Sequence, residues 1–368
     1  ELEHAVSLDS ARGPSEKCES AAKAFSCPWT PDDEMWAYQW GPIATQADRA
    51  WCHTTGEGTV VAVIDTGIDL NHPDLKANLW VNEAEAFGIE GEDDDGNGFI
   101  DDVHGYDFVN DQGNMFDDHI HGTHVAGIIA GIADNRAGIA GVAPGAKIMP
   151  LKFMDETGTG YISRAVFAVL YAVQHNADVI SNSWGSAVKS QALEVAYGAT
   201  LGGGQLVTCS AGNLGEPLDY DASMNYPASF RFPNMIVVAA ATQSLSLSTF
   251  SNYGVYSVDI AAPGEDILSS APMFRGGYAR ESGTSQAVPH VSGAAALVTA
   301  AGWAAGHLNT SMAPLQRALW VRAAILQSVT YVPALAPFVR SAGLVNAYAA
   351  VRLAARGGGG RTEAEELS

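Results

Sequence analysis

The stretch Val60-Val61-Ala62-Val63-Ile64-Asp65-Thr66-Gly67 places five apolar residues directly before an acid and a glycine. A short apolar run of this kind predicts a strand that is buried on both faces of a sheet. Similar runs follow at residues 147–153, 179–183, 206–209, 236–240 and 258–261, and helical spacing of apolar residues covers 162–176 and 191–201. Strands that alternate with helices predict an α/β fold of three layers, α/β/α, around a mainly parallel central sheet.

Composition supports a folded chain with a large core and limits its partners. Of the 368 residues, 47% are apolar, so the chain is neither disordered nor fibrous. The 41 Asp and Glu exceed the 19 Lys and Arg, giving a formal net charge of −22 that would repel a nucleic acid. No apolar stretch reaches the ~20 residues that a membrane span needs.

The two ends of the sequence differ in character from its middle. Residues 1–28 show no strong period and are interpreted as an N-terminal extension or the remnant of a pro-segment, and 356–368 as a flexible tail. Because the chain starts at Glu1 without a basic-then-apolar leader, we expect a processed form. Cys18 and Cys27 are close enough in sequence to pair, whereas Cys209 lies in an apolar run and is predicted to be a buried free thiol.

Three short motifs stand where the chemistry of a parallel sheet collects, at strand ends and helix starts. They are Asp65-Thr66-Gly67, His121-Gly122-Thr123-His124 and Gly283-Thr284-Ser285. Each alone is explained by a turn, a packed histidine or an N-cap serine. Together they supply an acid, a base and a nucleophile.

These three residue types meet the needs of nucleophilic catalysis. A serine hydroxyl such as that of Ser285 needs a base to take its proton, and the imidazole of His121 titrates in the right range. Asp65 would orient that imidazole and stabilise its charged form. Asn213, after the strand at 206–209, offers an amide donor beside the positive end of the helix that Ser285 opens.

The order Asp, His, Asn, Ser, with Ala-Gly-Asn at 211–213 and Gly-Thr-Ser-Gln-Ala-Val-Pro-His at 283–290, resembles the subtilisin-like serine proteases, the subtilase superfamily. The resemblance spans about residues 30 to 350. It implies a serine endopeptidase with its catalytic domain at 29–355, in which Ser285 attacks, His121 is the general acid and base, and Asp65 orients it. Asn213 and the backbone N–H of Ser285 would bind the oxyanion. Gln286 departs from the family, which usually has Met after the nucleophile.

The resemblance also implies how substrate binds. A polypeptide would lie as an extended strand between a strand at Ser183, Trp184 and Gly185 and an opposite rim at Gly158 and Gly160. The pocket for the residue before the cleaved bond would lie between residues 183–185 and 211–213. The remaining residues expected to line it are Ala211, Gly212, Leu214 at its mouth and Asn225 at its floor. Since these segments contain no acid, we expect a preference for neutral side chains.

An acidic loop carries the spacing of a calcium site. Residues 90–118 contain eleven Asp or Glu and no Lys or Arg. Within them, Asp93, Asp95 and Asn97, with a glycine turn and the carbonyl of Phe99, follow the start of an EF-hand-type loop. Because no Glu follows at the twelfth position, Asp101 or Asp102 would close the shell.

A second calcium site is implied only by the resemblance, which is strongest to the thermitase branch. Its expected ligands are the side chains of Asp33, Asp74 and Asn135 and the carbonyls of Ala133, Ala137 and Ile139. We therefore expect two or more structural calcium ions. The family also implies a monomer, a pro-segment inhibitor as a further partner, and a secreted or luminal location.

Two alternatives remain at this point. His119, His121 and His124 nearly match the histidine cluster of a zinc-dependent hydrolase, although Thr123 stands where a carboxylate would be needed. The chain could also be a non-catalytic, peptide-binding relative, although it retains all four catalytic residue types.

Overall fold

The computed structural model describes residues 28–220 and 223–358. The predictions for residues 1–27, including those for Cys18 and Cys27, and for 359–368 lie outside the described residues. The strands are β1 Val60–Asp65, β2 Tyr106–Asp107, β3 Lys147–Lys152, β4 Val179–Asn182, β5 Leu206–Ser210, β6 Met235–Ala241, β7 Ile260–Pro263, β8 Ile267–Ser270, β9 Tyr278–Glu281, β10 Thr330–Tyr331 and β11 Gly343–Leu344.

The α-helices lie before, between and after these strands along the chain. They are α1 Gly41–Ala44, α2 Ala47–Ala50, α3 Glu83–Ala86, α4 His121–Ala130, α5 Ile162–Gln174, α6 Gln191–Gly203, α7 Thr284–Ala304, α8 Pro314–Leu326 and α9 Ala347–Ala355. Among the residues described, no helix is long and apolar enough to cross a membrane.

The central sheet has the order β10-β11-β7-β6-β5-β4-β1-β3-β2. Every neighbouring pair in it is parallel except β10 with β11. Strands β8 and β9 form a separate antiparallel pair. The predicted α/β fold with a mainly parallel sheet is therefore confirmed.

Alternate residues of the long central strands, such as β1 and β6, belong to two hydrophobic cores, one on each face of the sheet. Val61 and Val63 pack with residues of α4, α7, α8 and α9. Ala62 and Ile64 pack with residues of α5 and α6 on the other face. Because side chains alternate along a strand, a continuous apolar run is what a sheet covered on both faces requires.

Some element boundaries differ from the sequence prediction. The helix expected over 162–176 ends at Gln174, and Asn176 has a left-handed φ of 54°. The strand expected at 258–261 starts only at Ile260, because the N–H of Val258 bonds back to Gly254 in a turn. Cys209 is a buried free thiol, as predicted, whereas Cys52, for which no pairing was predicted, is disulfide-bonded.

The topology brings the predicted motifs to one edge of the sheet. Strands β1, β4 and β5 are neighbours and parallel, so their carboxyl ends, at Asp65, Asn182 and Ser210, share that edge. Helix α7 begins at the same edge, since the side chain of Ser183 bonds to the backbone of Ser285. From there α7 runs through the core, and most of its 21 residues are buried.

Candidate active site

The acid and the base come from β1 and α4 and are in direct contact. Nδ1 of His121 lies 2.7 Å from Oδ1 of Asp65. The same carboxylate oxygen accepts the N–H of Thr66 at 2.8 Å, and Asp65 is 1% exposed. Since the carboxylate holds the proton on Nδ1, Nε2 of His121 is the atom that can accept a proton from a nucleophile.

Charge around His121 determines its protonation. Burial lowers the pKa of His121, but the nearby carboxylates of Asp65, Asp117 and Glu281 outweigh it, and the net pKa is raised above its usual value. The surrounding carboxylates therefore stabilise the imidazolium form of His121.

Ser285 is the second residue of α7, and its side chain is engaged with β4. The hydroxyl of Ser285 donates to the carbonyl oxygen of Ser183 at 2.8 Å, and the hydroxyl of Ser183 donates to the carbonyl oxygen of Ser285 at 2.8 Å. No hydrogen bond joins Ser285 to His121 within the described ranges. Proton transfer to His121 therefore requires the hydroxyl of Ser285 to turn from Ser183, as is common in sites without substrate.

Asn213 is oriented so that its amide nitrogen is the free end. Oδ1 of Asn213 accepts the N–H and the hydroxyl of Thr284, both at 2.9 Å. A Cβ built on Gly283 would lie 3.4 Å from Nδ2 of Asn213 and 3.5 Å from the backbone nitrogen of Ser285. The amide nitrogen of Asn213 and the backbone nitrogen of Ser285 therefore lie near each other beside Gly283, where Oε1 of Gln286 is also close.

The predicted floor of the substrate pocket lies between the two predicted walls. A Cβ on Gly185 would clash with Oδ1 of Asn225, and one on Gly212 would lie 3.2 Å from Nδ2 of Asn225. Nδ2 of Asn225 donates to the carbonyl oxygen of Ser210 at 3.1 Å, which anchors the amide. The structure therefore brings Asn225 together with both glycine-containing segments.

The other predicted substrate residues occupy the rims and the backing of this cleft. Leu214 is 77% exposed, whereas Trp184 is buried with its ring 4.7 Å from that of Phe153. Gly160 pairs with Met154 in a short bridge, and a Cβ on Gly158 would lie 3.4 Å from the ring of His119. Ala211 is fully buried and lies behind the pocket rather than on its surface.

Known proteins are similar in sequence to this chain over most of its length. A model of the Subtilase family matches residues 56–348. The chain is 38% identical over 280 residues to a thermophilic serine proteinase from Bacillus sp. strain AK1, covering 76% of this chain and 62% of that protein. It is 35% identical over 285 residues to thermitase from Thermoactinomyces vulgaris, covering 77% of this chain and 90% of thermitase. The chain belongs to the subtilase family.

Solved structures agree with this assignment. A protease from Pseudoalteromonas arctica PAMC 21717 has a TM-score of 0.68 and 27% identity, covering 88% of this subtilase and 99% of that chain. A cold-adapted subtilisin-like serine proteinase has a TM-score of 0.59 and 29% identity, covering 80% and 88%. The predicted resemblance to subtilisin-like serine endopeptidases is therefore confirmed at the level of family and fold.

The acidic loop of this subtilase contains a compact carboxylate cluster. One oxygen from each of Glu85, Asp95 and Asp102 lies within 4.8 Å of the others. Nδ2 of Asn82 donates to both Asp95 and Asp102, at 2.9 and 3.0 Å, and Nδ2 of Asn97 donates to Asp102 at 2.8 Å. This set of hard oxygen atoms fits a calcium ion.

The remaining residues predicted for this loop have other partners. The carboxylate of Asp93 accepts the N–H groups of Asn97 and Gly98, and that of Asp101 accepts the N–H of Gly91. The ring of Phe99 packs 4.7 Å from that of Tyr106. Of the two candidates for closing the shell, Asp102 therefore belongs to the cluster and Asp101 faces away from it.

The residues of the second predicted calcium site lie close together, because the loop at 133–139 bonds to Asp33 and Asp74. Asp74 accepts Nδ2 of Asn135 at 2.7 Å and the N–H of Ile139 at 2.9 Å, and Oδ1 of Asn135 accepts the N–H of Ala137. Asp33 accepts the N–H of Asp134 at 2.9 Å. The structure thus folds the segment from Ala133 to Ile139 against the two predicted carboxylates.

Charge at this second site is only partly balanced by the protein, because Arg136 pairs with Asp32 at 3.3 Å. Oδ1 of Asp33 is buried without a partner among the described residues, and Asp32, Asp33 and Asp134 form a second carboxylate cluster. Burial raises the pKa of Asp33 to about 6, aided by the charge of Asp74 and opposed by the N–H of Asp134. An orphaned buried oxygen among carboxylates fits a hard cation.

The three histidines of the zinc alternative do not converge. Nε2 of the buried His124 faces the carbonyl oxygens of Ile267 and Ala279. The rings of His119 and His121 are 6.4 Å apart, and neither carboxylate cluster found in the described residues includes a histidine. Nδ1 of His121 is occupied by Asp65.

Two residues of these sites were not predicted from the sequence. Glu85 lies in α3, outside the calcium-loop pattern, and its carboxylate accepts the N–H groups of Asp94, Asp95 and Asp101. Asp117 is fully buried four residues before His121. Because the N-cap position of α4 is Ile120, Asp117 lies three residues before it and the N-cap pattern does not identify Asp117.

Proposed function

We propose that this subtilase hydrolyses peptide bonds through an acyl-enzyme on Ser285. The bond from Nδ1 of His121 to Asp65, at the edge where Ser285 begins α7, carries the proposal. Oγ of Ser285 attacks the scissile carbonyl carbon while its proton passes to Nε2 of His121. The carbon–nitrogen bond then breaks as His121 protonates the leaving amine, and water releases the acyl group by the same steps in reverse.

Oxyanion stabilisation is assigned to Asn213 and the backbone of Ser285. The bonds from Thr284 hold Oδ1 of Asn213 and leave Nδ2 to donate. As negative charge develops on the carbonyl oxygen, these fixed donors stabilise it without reorganisation. Gln286, buried behind the nucleophile, leaves these groups in place.

A fluorophosphonate probe followed by mass spectrometry tests this mechanism. The hydroxyl of Ser285 should displace fluoride from phosphorus, so the expected result is a single covalent adduct on Ser285. Labelling needs nucleophile and base together. A folded protein that stays unlabelled, or is labelled elsewhere, would overturn the mechanism.

The substrate is a polypeptide bound as an extended strand along residues 183–185 and 158–160. We expect a neutral side chain before the cleaved bond, because Asn225 at the pocket floor carries no charge and both of its faces meet glycines. Asn225→Asp adds a carboxylate with almost no change in shape, and it removes the hydrogen bond to the carbonyl oxygen of Ser210. It should raise kcat/KM for Lys or Arg at this position about tenfold or more relative to Phe.

Peptides that differ only at this position measure the effect, with the unmutated enzyme as the matched reference. If the unmutated enzyme already favours Arg over Phe, the assignment of a neutral pocket is wrong. If Asn225→Asp leaves the ratio unchanged, Asn225 does not contact the side chain.

We also propose two structural calcium sites, one at the cluster of Glu85, Asp95 and Asp102 and one at Asp33, Asp74 and Asn135, where Asp33 also belongs to the cluster with Asp32 and Asp134. A cation that binds only the folded chain stabilises it by about 2.7 kcal/mol at a hundred times its Kd. EDTA should therefore lower the melting temperature by on the order of 5 °C or more relative to excess calcium.

Neighbouring acids provide the control for the first site. Asp95→Asn should narrow the difference in melting temperature between calcium and EDTA, because Asp95 belongs to the cluster. Asp94→Asn should not, since its carboxylate accepts the N–H of Ile89 instead. Equal melting in EDTA and calcium would refute both metal assignments.

The remaining proposals concern the whole chain. We propose that 29–355 is the catalytic domain, that 1–28 is an extension or pro-segment remnant, and that 356–368 is a tail. We further propose a secreted or luminal monomer that is inhibited by a pro-segment. The match of the Subtilase family to residues 56–348 supports the catalytic domain, and the calcium-suited carboxylates support secretion.

A further inference from the structure

A second buried carboxylate, that of Asp117, holds the start of the helix that presents His121. Oδ1 of Asp117 accepts the N–H groups of His119 and Ile120, each at 3.1 Å. Oδ2 accepts the N–H and the hydroxyl of Thr123, at 2.9 and 2.6 Å. One carboxylate thus binds the donors on both sides of His121, where a helix start leaves N–H groups unpaired.

The same carboxylate is tied to the strand that carries Asp65. The hydroxyl of Thr66 donates to Oδ1 of Asp117 at 2.9 Å and accepts the N–H of Gly122 at 2.9 Å. Thr66 also donates its own N–H to Asp65. The bonds therefore form a closed ring that runs from His121 through Asp65, Thr66 and Asp117 back to the first turn of α4.

We infer that Asp117 is a positioning residue for the catalytic base. Its hydrogen bonds set the imidazole of His121 against Asp65, and its buried negative charge favours the imidazolium that forms when Ser285 gives up its proton. This inference rests on the proposed function and adds a second anionic side chain to those that position His121.

Electrostatics around the imidazole support this role. The charges facing His121 come from Asp65 on β1, Asp117 before α4 and Glu281 on β9, and all three raise its pKa. Two further titratable rings lie nearby, those of His119 and His124. Burial lowers the pKa of His124 to about 3, so His124 is neutral and adds no charge near neutral pH.

The adjacent acid provides a matched control. The carboxylate of Asp118 is partly exposed and pairs with the buried Lys152, whose Nζ lies 2.8 Å from Oδ1 of Asp118 and also donates to the carbonyl oxygen of Thr66. In the part of the chain that the structure describes, no hydrogen bond joins the carboxylate of Asp118 to the first turn of α4. Asp118→Asn therefore removes a negative charge one residue away and keeps every hydrogen bond of the ring, while Lys152 retains the carbonyl oxygen of Thr66 as its partner.

The experiment compares Asp117→Asn, Asp118→Asn and Thr66→Val with the unmutated enzyme. The pH dependence of kcat/KM is measured with a peptide substrate, and the pKa of His121 is measured by imidazole NMR, which needs no activity. We expect Asp117→Asn to lower kcat about tenfold to a hundredfold with KM within threefold. In this variant, the acid limb of the kcat/KM profile should move to lower pH by about half a unit or more, and the pKa of His121 measured by NMR should fall by the same amount.

The controls separate charge from geometry. Thr66→Val should lower kcat without moving the acid limb, because it breaks the ring and keeps both charges. Asp118→Asn should leave the acid limb in place. Should Asp117→Asn lose activity with His121 titrating unchanged, Asp117 is only structural and the inference is wrong; unchanged activity would also overturn it. If Asp117→Asn fails to fold, a normal kcat in Thr66→Val shows that the ring of hydrogen bonds does not position His121 for catalysis.

The test also distinguishes this inference from the proposed function. Failure of the unmutated enzyme to label at Ser285 would refute the mechanism, whereas the NMR shift of His121 would still report on Asp117.

Discussion

Ser285→Ala is expected to reduce kcat about a million-fold, the effect of removing the nucleophile of a triad. The residual rate would come from Asn213 and from substrate binding, because neither depends on the hydroxyl. The lost bond to the carbonyl of Ser183 contributes only about 1 kcal/mol, so the variant should remain folded. Casein digestion and a peptide assay measure the loss, and circular dichroism checks the fold.

Ser282→Ala is the matched control for this variant. Ser282 is exposed three residues before the nucleophile, and its hydroxyl oxygen accepts only the N–H of Asp266. Its activity should stay within about twofold of the unmutated enzyme. Comparable activity in Ser285→Ala would mean that another group attacks the substrate.

Asp65→Asn is expected to reduce kcat about ten-thousandfold with little change in KM. If the amide nitrogen of the substituted side chain faces the ring, Nδ1 of His121 must accept, and Nε2 must then carry the proton and cannot act as the base. Loss of the carboxylate also removes the charge that most strongly raises the pKa of His121. Neutral His121 is the active form, so the acid limb of kcat/KM should move to lower pH.

Stopped assays between pH 5 and 10 measure both effects of Asp65→Asn. A loss of less than tenfold would show that Asp65 does not set the tautomer of His121. If the acid limb of kcat/KM stays at the same pH, the charge of Asp65 does not raise the pKa of His121.

Much of the fold is predictable because it depends on burial. Val60 to Ile64 forms an interior strand of the sheet, between β4 and β3, and the apolar run predicts a buried strand without tertiary information. The strands that were not predicted are β2, β10 and β11, with two residues each, and β8 and β9, with four residues each. Runs of two residues carry no period. Strands β8 and β9 pair with each other outside the central sheet, and β9 is only partly buried, so it lacks the apolar run of a buried strand.

The candidate sites were predictable where ligand and motif coincide in sequence. Asp95 and Asp102 lie within the calcium-loop pattern, whereas Glu85 reaches the same cluster from a separate helix. Asp101 satisfies the pattern equally well, but its left-handed φ of 54° directs it to Gly91. The choice between Asp101 and Asp102 depends on backbone conformation that spacing alone does not specify.

The wide separation of the reacting groups along the chain has a consequence for synthesis. Asp65 ends β1 and Ser285 lies in α7, with β2 to β9 between them along the chain. Folds that depend on contacts between residues so distant in sequence form slowly, because the chain entropy lost in closing the long loop must be overcome first. We therefore expect a nascent polypeptide that has not yet been extended to α7 to have no hydrolytic centre, because it lacks Ser285.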